Sequence, residues 1–83
     1  MEIFHDPKSQ KFYCIVEGKV CYAQYHLKDN TMDFFHTYTP PELRGRGIAT
    51  KIFDEIKDFV EKNNIKVKAS CSFAENYFKL LRP

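Results

Sequence analysis

The sequence predicts a small α+β domain, an antiparallel β-meander followed by an α-β-α segment, with the helices packed on a mixed sheet. Three observations predict it. The N-terminal half holds three runs of aromatic and β-branched residues separated by short turns. A Pro40-Pro41 pair then ends strand pairing, because neither residue has an N–H to donate. Directly after it, the apolar period changes from that of a strand to that of a helix.

Each element follows from local chemistry. Ile3-Phe4 reads as a short edge segment. Lys11 to Glu17 is the first full strand, and Glu17-Gly18-Lys19 supplies a turn. Val20 to Lys28 carries Tyr22, Tyr25 and Leu27, and Lys28-Asp29-Asn30 turns the chain again. Met32 to Thr39 is the third run; plain alternation puts Phe34, His36 and Tyr38 on one face and Phe35, Thr37 and Thr39 on the other. Short turns imply antiparallel neighbours. From Gly47, Ile48, Ala49, Ile52, Phe53, Ile56, Phe59 and Val60 form one helical stripe, with Lys51, Asp54, Glu55, Lys57, Asp58 and Glu61 outside it. Asn63-Asn64 can take the left-handed cap. Ile65, Val67, Ala69 and Cys71 alternate with Lys66, Lys68 and Ser70 as a half-buried strand. Ser72-x-x-Glu75 has the pattern of a capping box opening a last helix, whose apolar face is Phe73, Ala74, Tyr77, Phe78, Leu80 and Leu81, with Pro83 ending the chain. The order is βββ-α-β-α.

At 83 residues the chain has room for one domain, residues 1–83. With 43% hydrophobic and 16% aromatic residues it can fill a thin core, which excludes a disordered chain. The net charge of +2 admits an anionic ligand but falls short of the basic excess of a nucleic-acid binder. Cys14, Cys21 and Cys71 show no C-x-x-C spacing, so no metal site is expected. The N-terminus has neither a basic nor an apolar signal region, and no apolar run is long enough to span a membrane. Free thiols then point to the cytoplasm.

The stretch from Pro40 to Thr50 carries the most chemistry. It joins a strand end to a helix start, where orphan N–H groups and the positive end of the helix dipole make a site for phosphate. Gly45 and Gly47 let backbone approach a ligand, Ala49 keeps the first turn clear, and Arg44, Arg46 and Lys51 add positive charge. Neither G-x-x-x-x-G-K-[ST] nor G-x-G-x-x-G fits.

Arg44-x-x-Gly47-x-Ala49 resembles the R/Q-x-x-G-x-G/A signature of the GNAT acetyltransferase superfamily, and the chain is similar to its very short single-domain members. The likeness runs from about Lys11 to Leu81. It rests on His36-Thr37-x-Thr39-Pro40-Pro41-x-Leu43-Arg44-Gly45-x-Gly47-Ile48-Ala49 and on Cys71-x5-Tyr77. The resemblance implies that backbone amides of Arg44, Gly45, Arg46, Gly47, Ile48, Ala49 and Thr50 cradle the pyrophosphate of acetyl-CoA. It also implies that His36, Thr37 and Tyr38 pair with the pantetheine arm, and that Tyr77 protonates the departing CoA thiolate. Full-length members carry further helices and strands around the acceptor, and many place a Glu base on the strand before the signature; here that strand offers Asp33 and His36.

Three side chains are candidates for catalysis. His36 is the natural general base, since a histidine's ordinary pKa of about 6.5 suits proton transfer near neutrality. Cys71, between a strand and a helix N-terminus, is a candidate nucleophile, and the short GNAT-like domains carry a cysteine there. Tyr77 is the candidate acid. Asn76 and Lys79, on the same helix, can reach the coenzyme. Cys14 and Cys21 read as core, and the surplus of aromatics as the lining of a pocket or a dimer surface.

The leading function is an acetyl-CoA-dependent N-acetyltransferase acting on an amine, by direct attack or through an acetyl-Cys71 intermediate. The alternative is a non-catalytic acyl-CoA-binding or sensing module. A nucleic-acid-binding role is disfavoured by the weak charge and by the absence of an RNP or GXXG pattern. Polyamine, small amine, protein N-terminus and lysine all remain open as acceptors, and the sheet leaves an edge that a homodimer would cover.

Overall fold

The computed structural model describes residues 1–80. Strands β1 (Phe4–Asp6), β2 (Lys11–Val16), β3 (Lys19–Lys28) and β4 (Thr31–Tyr38) form the antiparallel meander. A short 3-10 turn, Pro41–Leu43, leads into α1 (Ile48–Lys62), followed by β5 (Lys66–Ala69) and α2 (Ser72–Leu80). The five strands lie in one sheet in sequence order, and β5 pairs parallel with β4 through the α1 crossover. This is the small α+β, GNAT-like architecture that the sequence predicts, with a mixed sheet. Leu81, placed by its spacing on the last helical face, and Pro83 lie outside the described residues.

Two-residue loops build the hairpins. Glu17-Gly18 and Asp29-Asn30 all have positive φ, as loops that match the right-handed strand twist require. At the end of α1, Asn64 takes the left-handed conformation at φ 53°, and the Asn63 side chain donates to the Phe59 carbonyl.

Both helices cover the same face of the sheet. Phe12, Cys14, Cys21, Ala23, Tyr25, Met32 and Phe34 meet Ile48, Ile52, Phe53, Ile56 and Val60 of α1 and Ala74 of α2 in one buried cluster. Phe53 ties the layers together: its ring lies 5.4–5.8 Å from those of Phe34, Phe73, Tyr77 and Phe78. Leu80, expected on the buried side, is 84% exposed.

Strand β4 departs from plain alternation. Tyr25 pairs with Phe34 and Gln24 with His36, so Phe35 is an extra residue forming a β-bulge. Before it, Met32 and Phe34 point into the core; after it, Thr37, opposite buried Ala23, points to the helix side. His36 and Tyr38 are therefore on the face opposite Phe34, a correction to the shared face that alternation predicts. Phe35 stacks on His26 of β3, ring centroids 4.2 Å apart.

The last helix is also capped differently from the sequence pattern. Ser72 is already helical, and Cys71 occupies the capping position. The Ala74 N–H donates to Cys71 Sγ at 3.4 Å, and the Glu75 N–H donates to the Cys71 carbonyl at 3.0 Å. A sulfur one residue earlier replaces the expected serine hydroxyl.

Candidate functional site

The site begins where two parallel strands part. Pairing of β4 with β5 ends at Phe34 and Ala69, and the N–H groups of Ser70 and Cys71 both donate to the Phe34 carbonyl, at 2.9 and 3.1 Å. Beyond this fork β4 continues to Tyr38 with no neighbouring strand on that side among the described residues. Its backbone groups there remain available to an extended ligand.

A cavity of ≈ 440 Å³ opens at the fork. Thr37, Tyr38 and Thr39 form one wall; Arg44, Gly45, Gly47, Ile48, Ala49 and Thr50 form the other, with Leu43 and Phe73 completing it. The N-terminus of α1 therefore faces the hollow. Its first helical bond runs from the Lys51 N–H to the Gly47 carbonyl, which leaves the preceding N–H groups without helical acceptors. Gly45 and Gly47 have φ of 82° and 74°, and a Cβ at either would meet no atom within 4 Å. The glycines serve backbone conformation and an open cradle. Arg44 joins the loop to the strand, its Nε donating to the Thr39 carbonyl at 3.0 Å. Exposed helix-terminal amides, an arginine and a free strand edge around one cavity fit a long ligand bearing a diphosphate.

Arg46 is placed elsewhere. Its guanidinium pairs with Glu17 at 2.5 Å, away from the cavity wall. Local pattern gives no hint of this contact, because Glu17 lies in a distant hairpin.

The three catalytic candidates take up three positions. His36 is exposed on the helix-free face, its ring 5.4 Å from that of Tyr22. Cys71 is half-buried at the fork on the helix side, where its sulfur shares a 3.3 Å hydrogen bond with the Thr37 hydroxyl. Tyr77 and Asn76 line an adjoining cavity of ≈ 470 Å³, which shares Thr50 and Phe73 with the first. The Tyr77 hydroxyl donates to Asp54 of α1 at 2.5 Å. Burial raises the phenol's pKa, and the Asp54 carboxylate raises it further.

Four residues of the site are missed by sequence reasoning. Thr39, Leu43 and Phe73 belong to the wall, and Asp54 is the partner of Tyr77. Asp54 stands one turn after Thr50 on the same helix face, a spacing that could have revealed it. Lys79 lies apart: it borders a larger hollow of ≈ 680 Å³ between β5 and α2 that contains no residue of the glycine loop. Among the described residues, no three His, Cys, Asp or Glu side chains are grouped as metal ligands, and no helix is long and apolar enough to cross a membrane.

A family model described as GCN5-related N-acetyl-transferase matches residues 11–81. The chain is 28% identical over 82 residues to Protein NATD1 of Xenopus tropicalis, covering 95% of this chain and 75% of that protein. It is 27% identical to Protein NATD1 of Gallus gallus and 26% to that of Homo sapiens, each over 82 residues, covering 95% of this chain and 74% and 73% of those proteins.

Proposed function

The chain belongs to the GCN5-related N-acetyl-transferase family, and from that premise we propose that it is an acetyl-CoA-dependent N-acetyltransferase acting on an amine. The observation that carries this reading is the convergence of an unpaired β4 edge and the α1 N-terminus on one cavity. Bound acetyl-CoA would supply an activated acetyl thioester.

In this reading the amides of Gly47 to Thr50 and the Arg44 guanidinium hold the diphosphate, and Thr37 to Thr39 align the pantetheine arm as a further strand would. Asn76 borders the adjoining hollow within reach of the same ligand. His36 and Tyr77 stand on opposite faces of the sheet, which divides the labour. His36 takes the proton of an amine on the open face as the new N–C bond forms. Tyr77, protonated near neutrality, gives its proton to the sulfur released on the helix side as the C–S bond breaks. Cys71 lies close enough to the fork to serve as a covalent relay. Intact mass after incubation with acetyl-CoA alone separates the routes, since only the relay leaves an adduct of one acetyl group on Cys71. The three free cysteines support a cytoplasmic setting. A second reading, a non-catalytic acyl-CoA-binding module, is favoured by the hydrogen bond that the Tyr77 hydroxyl donates to Asp54, which turns its proton away from the fork.

Thermal unfolding with and without acetyl-CoA tests the coenzyme site. At about 100 times its dissociation constant the ligand adds about 2.7 kcal/mol, which raises the midpoint of a domain this size by roughly ten degrees or more. Gly47→Glu places a carboxylate in the cradle and should abolish the rise. An unchanged midpoint for the folded wild-type chain at millimolar acetyl-CoA sinks both readings. CoA release across a panel of amines then separates catalyst from binding module.

A further inference from the structure

The tip of the β2–β3 hairpin reaches the glycine loop. Strand β3 starts at Lys19, three residues before Tyr22, whose pairing with Tyr38 begins its ladder with β4. The tip therefore runs past the end of β4 and lies beside the loop that follows it. We infer that Glu17 and Lys19 are positioning residues, which hold the loop from Glu42 to Arg46 in the shape that receives the coenzyme's diphosphate. The inference rests on the coenzyme-binding reading and adds a part of the chain that lines no wall of the cavity.

Two ion pairs make the connection. Glu17 pairs with Arg46 at 2.5 Å, and Lys19 with Glu42 at 2.8 Å. Their polarities run opposite ways, so sliding the tip along the loop would set like charges together. Between the two anchored residues stands Arg44, whose guanidinium is itself held on the Thr39 carbonyl at 3.0 Å. The Arg46 side chain is drawn outward, while Gly45 and Gly47 on either side of it line the cavity. All four charged side chains are about half exposed, so each pair alone is weak. Two pairs of opposite polarity nevertheless select one arrangement of the loop. A loop held in its binding shape beforehand loses less entropy when the ligand arrives.

The backbone of the tip supplies a second observation. Glu17 has φ 52°, a left-handed conformation that favours Asn, Asp or Gly. Of the five described non-glycine residues with positive φ, Asp29, Asn30 and Asn64 are of the favoured kind. The other two are tied through their side chains to another segment: Gln10 accepts from the Leu27 N–H, and Glu17 accepts from Arg46. An asparagine would make the better turn at this position. The glutamate gives up that local preference for what its carboxylate reaches.

Calorimetric titration with CoA tests the tether. Glu17→Gln and Lys19→Gln change the net charge in opposite directions, so a purely electrostatic effect on the anionic ligand would have opposite signs. The tether predicts one sign: either variant should weaken CoA binding about threefold. Glu17→Gln should add nothing in an Arg46→Gln background. Glu17→Asn separates fold from function, since it should melt no lower than wild type yet bind CoA about threefold more weakly. Three results overturn the inference and leave the coenzyme reading standing: tighter binding by Glu17→Gln, unchanged affinity in both charge variants, or a lower midpoint with unchanged affinity in Glu17→Asn. No binding of CoA by the folded wild-type chain removes the coenzyme reading instead. Amide spectra without ligand then decide the tether. Gly45 and Gly47 resonances that move in Glu17→Gln and Lys19→Gln keep it, and unmoved ones overturn it.

Discussion

Burial and the Asp54 carboxylate both oppose ionisation of the Tyr77 hydroxyl, which makes the proposed acid a reluctant donor, and the same carboxylate turns its proton away from the fork. Removing the carboxylate's charge lowers the phenol's pKa, so Asp54→Asn should make Tyr77 titrate earlier. Ultraviolet tyrosine absorbance during alkaline titration, with Tyr77→Phe subtracted, reads this directly. An unmoved titration would leave burial, with the more distant Asp58 and Glu61 carboxylates, as the cause. Tyr77→Phe should cost about a hundredfold in turnover with little change in the acetyl-CoA thermal shift, because it deletes the acid and keeps the ring packed on Phe53. The tyrosine itself is visible in the sequence through its spacing from Cys71, whereas its aspartate partner is not. The two are brought together only when α2 lies against α1.

At the level of elements, the strands, the long helix and the glycine loop are legible because each is written in local chemistry: alternation, a helical stripe, a Pro-Pro stop. The two departures arise where a neighbour overrides the local pattern. The bulge in β4 is fixed by pairing with β3, and nothing in Thr31–Tyr38 alone marks Phe35 as the extra residue. The start of α2 is fixed by the fork, which holds the Cys71 N–H on Phe34 and so brings the sulfur over the first turn. This gives Cys71 a structural duty separable from any chemical one. Cys71→Ser retains a capping oxygen and should unfold close to wild type, whereas Cys71→Ala should lose about 1 kcal/mol, measured by urea denaturation. If Cys71→Ser abolishes turnover while keeping stability and coenzyme binding, the thiol is chemically engaged; undiminished turnover would confine it to the cap.

Across the whole molecule, the sheet's first strand is tied to its core by one histidine. His5 stacks on Phe12 at 4.0 Å, meets the edge of Phe59 and hydrogen-bonds the buried Tyr25 hydroxyl at 2.6 Å. Burial lowers its pKa, although Asp6 beside it pulls the other way. As the pH falls past a histidine's ordinary value, the unfolded chain therefore binds more protons than the folded one. Stability is complete above about pH 6.5 and falls as the pH drops toward the folded value. His5→Phe, which keeps the ring and removes the titration, should flatten the melting midpoint between pH 7.5 and 5.5. An equally steep loss in the variant would assign the effect elsewhere. Asp6 and Glu42, held below the usual carboxylate range by hydrogen bonds from Ser9 and Lys19, act in the more acidic window.

The bulge at Phe35 also sets a rule of parity for β4. Core-facing residues are even-numbered before it and odd-numbered after it, so the strand is one residue longer than its ladder. A chain one residue shorter there would alternate without interruption, still burying Met32 and Phe34 and still turning His36 and Tyr38 outward. It would forfeit the bulge and the stacking on His26. Phe35 is thus the position in β4 where length can change while sidedness is kept, and the count of residues between the core and the chemistry is free to drift there.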